Sequence, residues 1–335
     1  MKILNRIENV AHYEVYNSSV LIGRDTRIVS GIISHGNQIL RITNGKIEIL
    51  REGAYFYFTA FKDGFLHYDK EGDPIHFSNS NGSIVLTPEN HYFSPLHNLP
   101  VKDEIVITKM DKDFVQKHYF LNSMKFSNKQ ESAFYPHLNN SQHYCDFNKR
   151  ESWIEIMNKQ SQDSYRKVNI QISKLKMNKR ENPFLDSNTI FIPLSGGAVA
   201  KFNCNSDSIE WTNQEFKEQY VSYNSNSSYL YQHFGRGVNQ ICKLSGKTVN
   251  QLDFSKSLKE EFHSSGSIWC SDDYIITKDL QSGKFCVLGA DNLEPLGLEF
   301  VMKKGFSESP LTFQIMKNNI YVLGMDNVLR EYQIN

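Results

Sequence analysis

Residues that announce a chemistry are scarce in this chain. Only five cysteines occur in 335 residues, at positions 145, 204, 242, 270 and 286, and no two form a CxxC pair. A disulfide framework and a cysteine-built zinc site are both excluded by that spacing, and reduced thiols in a cytoplasmic compartment are expected. Charge of one sign is also lacking. Lys plus Arg equals Asp plus Glu at 37 each, so the basic excess of a general nucleic-acid binder is absent. The one basic stretch runs from Arg166 to Arg180. No run of about eighteen apolar residues occurs, so no membrane span is expected. Near Met1, the residues Asn5, Arg6, Glu8 and Asn9 interrupt any apolar core of the signal-peptide kind.

Catalytic and ligand motifs are missing too. "GFSES", from Gly305 to Ser309, starts like a nucleophile elbow but ends in Ser where Gly is needed. There is no HExxH and no GxxxxGK[ST] phosphate loop. The Ser-Gly-Lys triplets at Ser245 and Ser282 read as turns. His143 and Cys145 stand two apart on a strand and share a face, yet no third ligand follows at motif spacing. Asp111 and Asp113 lack the glycine and terminal Glu of a calcium loop. No metal, no cofactor and no catalytic residue are assigned. Four glycosylation sequons, beginning at Asn17, Asn81, Asn139 and Asn226, read as chance matches in a chain rich in Asn and Ser.

A repeated unit is present instead. "TIFIPLSGGAVAKFNCNSDSIEW", from Thr189 to Trp211, reads as strand, glycine turn, strand, polar turn, strand. The same order returns in "YLYQHFGRGVNQICKLSGKTVNQLDF", in "YIITKDLQSGKFCVLGADNLEPLGLEF" and, upstream, in "YFYFTAFKDGFLHYDKEGDPIHF". Anchored on Phe58, Ile190, Leu230, Ile275 and Tyr321, the last four anchors step by roughly 40–46 residues, and three such steps fill the first gap. Weaker copies sit near Val106 and Cys145. Several strands per repeat at this period are the signature of a β-propeller; a sandwich or barrel would not need one order repeated throughout.

An all-β propeller of seven blades is therefore expected as a single domain over residues 1–335. Strand material in "YEVYN", "SVLIG", "RIVSGII" and "ILRIT" would complete the last blade and so remove an open edge. Eight blades is the alternative, if residues 8–50 form a blade of their own. Short helical turns are expected from Thr212 and over Ser255 to Phe262. The polar segment 158–183 reads as an extended insertion between blades.

The copies from Ile190 to Phe300, above all "LSGKTVNQLD", resemble the repeats of quinoprotein-like (PQQ-like) and WD-like propellers. The resemblance implies the fold. The regular blade tryptophan of quinoproteins is missing, with only Trp153, Trp211 and Trp269 present. No quinone-binding constellation matches, so no cofactor is implied.

What is left points to binding. Tyr92 and Phe93 in "ENHYFSPLHNLP", Tyr135 in "FYPHLNNS", and Phe234 with Arg236 in "HFGRG" place aromatic and Arg side chains in loops, where they are the usual anchors of protein interfaces. The expected function is a non-catalytic protein-binding propeller, monomeric on its own. It would act as an adaptor, or as an inhibitor such as a bacterial immunity protein that neutralises a toxin. The alternative is a carbohydrate-active or other hydrolytic enzyme with its site in the central funnel.

Overall fold

A computed structural model describes residues 1–16, 19–24, 36–55, 58–61, 64–68, 74–78, 82–85, 104–110, 116–122, 125–126, 138–139, 143–158, 165–170, 175–186, 188–215, 221–234, 236–258, 262–263, 268–279, 282–300 and 310–334. Antiparallel meanders follow one another along the chain. After β1 (Lys2–Ile7) comes a sheet of β2 (Val10–Tyr16), β3 (Ser19–Arg24), β4 (Gly36–Thr43) and β5 (Lys46–Tyr55). The next sheet is β6 (Phe58–Phe61), β7 (Gly64–Tyr68), β8 (Pro74–Ser78) and β9 (Gly82–Val85). Three strands, β10 (Glu104–Met110), β11 (Gln116–Asn122) and β12 (Lys125–Phe126), make the third.

The fourth holds β13 (Leu138–Asn139), β14 (His143–Asn148), β15 (Trp153–Asn158) and β16 (Tyr165–Asn169). The fifth holds β17 (Phe184–Asp186), β18 (Thr189–Pro193), β19 (Val199–Asn203) and β20 (Ser208–Asn213). The sixth holds β21 (Val221–Ser225), β22 (Tyr229–Phe234), β23 (Gly237–Cys242) and β24 (Thr248–Asp253), and the seventh β25 (Ile268–Cys270), β26 (Tyr274–Asp279), β27 (Lys284–Gly289) and β28 (Pro295–Phe300). The last is β29 (Pro310–Met316), β30 (Asn319–Gly324) and β31 (Leu329–Gln333), with β1 paired onto β31 as its fourth strand. Among the described residues there is one α-helix, α1 (Phe254–Ser257), where Asp253 caps the Ser255 amide at 3.0 Å. No described helix is long and apolar enough to cross a membrane.

Middle strands are buried along their whole length: Leu230 to Phe234, Ile275 to Asp279 and Ile320 to Gly324 run without an exposed residue. A strand with both faces covered reads as a continuous buried run. Alternate side chains go to opposite neighbours. Ile275 packs with Tyr231 and Val238 of the preceding sheet, while Ile276 packs with Phe313 and Val322 of the following one. Likewise Phe191 meets Leu230 and Ile241, while Ile190 and Ile192 meet Ile154 and Ile156. Face-to-face stacking of successive sheets follows from that two-residue period. The last sheet stacks on the first in the same way: Tyr321, Leu323 and Leu329 share a cluster with Val20, Leu40 and Ile42.

Two glycines are dictated by close approach. A Cβ on Gly246, at φ +71°, would enter the Trp211 ring, and one on Gly237 would meet the Leu252 carbonyl and the Phe234 ring.

The anchors Ile190, Leu230, Ile275 and Tyr321 lie in second strands, because the short first strands β17, β21 and β25 carry no turn signal of their own. Only β1 of the N-terminal strand material joins the last sheet. Asn9, at φ 60°, turns the chain out of it, and Val10–Tyr55 forms a separate sheet. Eight sheets are thus present among the described residues where seven blades were expected. Thr212 and Asn213 are strand, not helix, and within 158–183 the segment Tyr165–Asn169 pairs along β15 as sheet.

Candidate functional site

Between the last and first sheets lies a groove of about 610 Å³. Its position follows from the meander. First-to-second and third-to-fourth turns fall at one end of each sheet, and here the Lys317–Asn318 turn of one sheet faces the Asn44–Gly45 turn of the other. Asn44 and Gly45 hold φ of 50° and 75°, as a two-residue hairpin of the Asn-Gly kind requires. Leu4, Ile42 and Met316 supply apolar wall, and Asn5, Asn319, Tyr321 and Glu331 supply the polar floor.

That floor is a row of cross-strand neighbours. Tyr321 of β30 and Asn5 of β1 both stand directly opposite Glu331 of β31. The Asn5 amide donates to Glu331 Oε2 at 2.5 Å; the Asn319 amide and the Tyr321 hydroxyl donate to Oε1 at 2.6 and 2.8 Å. Glu331 is 5% exposed, and among the described residues no lysine, arginine or histidine pairs with its carboxylate. Burial first, and then the bond to Glu331, push the Tyr321 phenol above its ordinary range. A bulge in β1 leaves Leu4 as the extra residue between the Ile3–Tyr332 and Asn5–Glu331 pairs, which aims it at the groove.

Exposed apolar side chains bracket this groove. Leu4 is 41% exposed on β1, and Ile47 and Ile49 are 55% and 53% exposed on β5. Ile47 stands opposite Ile42, and Ile49 opposite Leu40, so the apolar face that fills the inner seam continues outward into solvent.

The seam between the sixth and seventh sheets is built on the same positions and is closed. Tyr231 and Asn250 stand opposite Gln240, as Tyr321 and Asn5 stand opposite Glu331. There, Gln240 Nε2 and the Tyr231 hydroxyl both donate to the Ala290 carbonyl of the facing turn, at 2.6 and 2.8 Å. Asn250 donates to Gln240 Oε1 and, at 3.3 Å, to the Asp291 carbonyl.

Deeper in that closed seam, His233 is 1% exposed between the Ser222 hydroxyl at 3.4 Å and the Thr277 hydroxyl at 3.3 Å. Burial lowers its pKa to about 4, so the ring is neutral at pH 7. Sealed from solvent, it serves as a packed polar spacer.

Among the residues expected from sequence as anchors, Arg236 is exposed on its turn, while Phe234 is 8% exposed and closes over Gly237. That turn lies at the end of its meander opposite to the turns that frame the groove. Tyr92, Phe93 and Tyr135 lie outside the described residues. Cys145 is buried among Ile154, Ile156 and Ile190, and none of the five cysteines forms a disulfide. No cluster of three potential metal ligands occurs among the described residues. Sequence reading did not single out Glu331. Its signal was an acidic residue on the inward face of "VLREYQIN", in phase with Leu329.

No family model matches the chain, and no curated protein does. Solved structures do. The computationally designed Ika8 protein superposes with a TM-score of 0.59 at 9% identity, covering 98% of this chain and 96% of that one. BamB from Moraxella catarrhalis, a quinoprotein-like propeller, gives 0.57 at 9% identity over 99% of both chains. At such identity the likeness is one of fold, and it bears out the propeller resemblance of the repeats.

Proposed function

We propose that the chain is a non-catalytic protein-binding β-propeller, of the adaptor or inhibitor kind, that docks its partner at the groove between its last and first sheets. The observation that carries this reading is the open seam. Two outer strands expose three large apolar side chains, Leu4, Ile47 and Ile49, around a groove with a buried carboxylate in its floor. Contiguous exposed apolar surface rimmed by polar groups is what protein-interaction sites present. Rigid sheets on both sides keep the ordering cost of docking low.

The same proposal takes the eight sheets as blades of one ring, in which β1 fills the outer position of the last blade. The β1–β31 pairing and the cluster shared by the last and first sheets support this. It also takes the chain as a monomer when alone, in the cytoplasm, a compartment that its five cysteines without disulfides support.

Affinity capture on the immobilised chain, from cells of its own source, is expected to return one dominant stoichiometric partner. A double Ile47→Asp, Ile49→Asp variant is expected to lose that partner while keeping its melting temperature. Turnover of a glycan or ester panel by the purified chain alone would replace this reading with that of a funnel-site hydrolase.

A further inference from the structure

The chemistry of the groove says what kind of side chain enters it. Glu331 is nine-tenths buried, lines the groove and already accepts three hydrogen bonds, all from neutral donors. Oε1 takes two of them and Oε2 takes one, so Oε2 retains acceptor capacity. A buried negative charge held by neutral groups attracts a positive one strongly, because little water lies between them. Lys317 lines the groove on its exposed turn and makes no ion pair with Glu331.

The walls add a second requirement. Leu4, Ile42 and Met316 offer apolar surface between the mouth and the carboxylate. A compact cation such as ammonium would leave that surface wet, and an uncharged alkyl chain would leave the carboxylate unanswered. A long side chain with an aliphatic stem and a cationic head satisfies both. In the closed sister seam the matching position, Gln240, is a donor that meets a carbonyl of its own chain. In the open seam it is an acceptor that no donor of the facing turn meets among the described residues, which leaves Oε2 open to a donor from outside.

Resting on the binding-protein reading above, we infer that the groove is a pocket for a lysine or arginine side chain of the partner, its stem along Leu4, Ile42 and Met316 and its head on Glu331.

The probes are N-acetyl-lysine amide and N-acetyl-arginine amide, with N-acetyl-norleucine amide as the uncharged control. Titration into protein carrying labelled Ile, Leu and Met methyl groups reads the walls directly by NMR. The Leu4, Ile42 and Met316 signals are expected to shift and saturate with at least one cationic probe, in the millimolar range ordinary for a single side chain. Norleucine is expected to bind at least about tenfold more weakly, since it lacks the charge-assisted bond. Glu331→Gln, which recreates the side chain of the closed seam, is expected to weaken the cationic probes by about the same factor. Leu4→Lys alters an exposed position, brings its own ammonium to the groove, and is expected to block the probes in a protein whose other methyl signals are unchanged. Equal shifts with norleucine, undiminished binding by both variants, or no response to any probe would overturn the inference. A partner that is captured all the same would leave the binding-protein reading standing.

Discussion

The seam between the sixth and seventh sheets and the seam between the last and first use the same three positions: a tyrosine on the second strand, a long polar side chain opposite it on the third, and an asparagine on the fourth. They differ in one functional group. Gln240 brings an amide that donates to the Ala290 carbonyl of the facing turn, and Tyr231 donates to the same oxygen. Glu331 brings a carboxylate, which cannot donate when ionised. It instead draws in the Tyr321 hydroxyl and two asparagine amides from its own sheet. The facing Asn44–Gly45 turn receives no donor from Glu331, and a groove stands between them. A seam between stacked sheets is therefore closed by its donors as well as by apolar area.

The sharpest way to break the comparison is to exchange the group. Gln240→Glu would set a carboxylate at a site that is 0% exposed, against the Ala290 and Asp291 carbonyls. A loss on the order of 3–5 kcal/mol is expected in chemical denaturation at pH 7.5, the scale of an uncompensated buried charge. A cost below about 1 kcal/mol would show that the donors do not hold that seam.

A second test uses pH. His233 lies in the closed seam, where Leu323 stands in the open one. Its folded pKa of about 4 lies below the ordinary 6.5, so the unfolded chain binds the proton first. The stabilisation is complete above pH 6.5 and is lost as pH falls toward about 4. That loss is on the order of 3 kcal/mol, and His233→Leu is expected to remove it from the pH profile. An unchanged profile would mean that other groups govern acid stability.

Smaller effects separate the two tyrosines. Tyr231→Phe leaves Gln240 still donating to Ala290, so a cost of about 1 kcal/mol is expected. Tyr321→Phe removes one of three donors from a buried carboxylate, and about 2 kcal/mol is expected. The reverse order in denaturation midpoints would contradict the roles given to the two phenols. Least of all, Leu4→Ala is expected to change stability by under about 0.5 kcal/mol, since the side chain is already 41% exposed.

Much of the fold was legible. Ser245-Gly246-Lys247 and Ser282-Gly283-Lys284 read as turns, and their glycines do sit at φ of about 70°, although the first joins a third strand to a fourth and the second a second strand to a third. The first strands were not legible. "FLD" and "IWC" are three residues each, too short for a periodicity to show. Phe234 looked like a loop anchor because Gly235 and Gly237 follow it, but Gly237, lacking a Cβ, leaves room for the Phe234 ring to close over it and be buried.

The candidate site could not be found by spacing at all. Asn5 and Glu331 are 326 residues apart and meet only because β1 pairs with β31.

Local pattern by itself determined that this chain forms short antiparallel strands, that its middle strands are buried on both faces, and where its turns fall. Those properties depend on neighbouring residues, through φ preference and two-residue alternation, so they can be read from one stretch at a time. Only the tertiary structure decided which seam stays open. That depends on whether a buried polar group finds its partner across a gap between two sheets, and such a partner is set by stacking rather than by sequence distance.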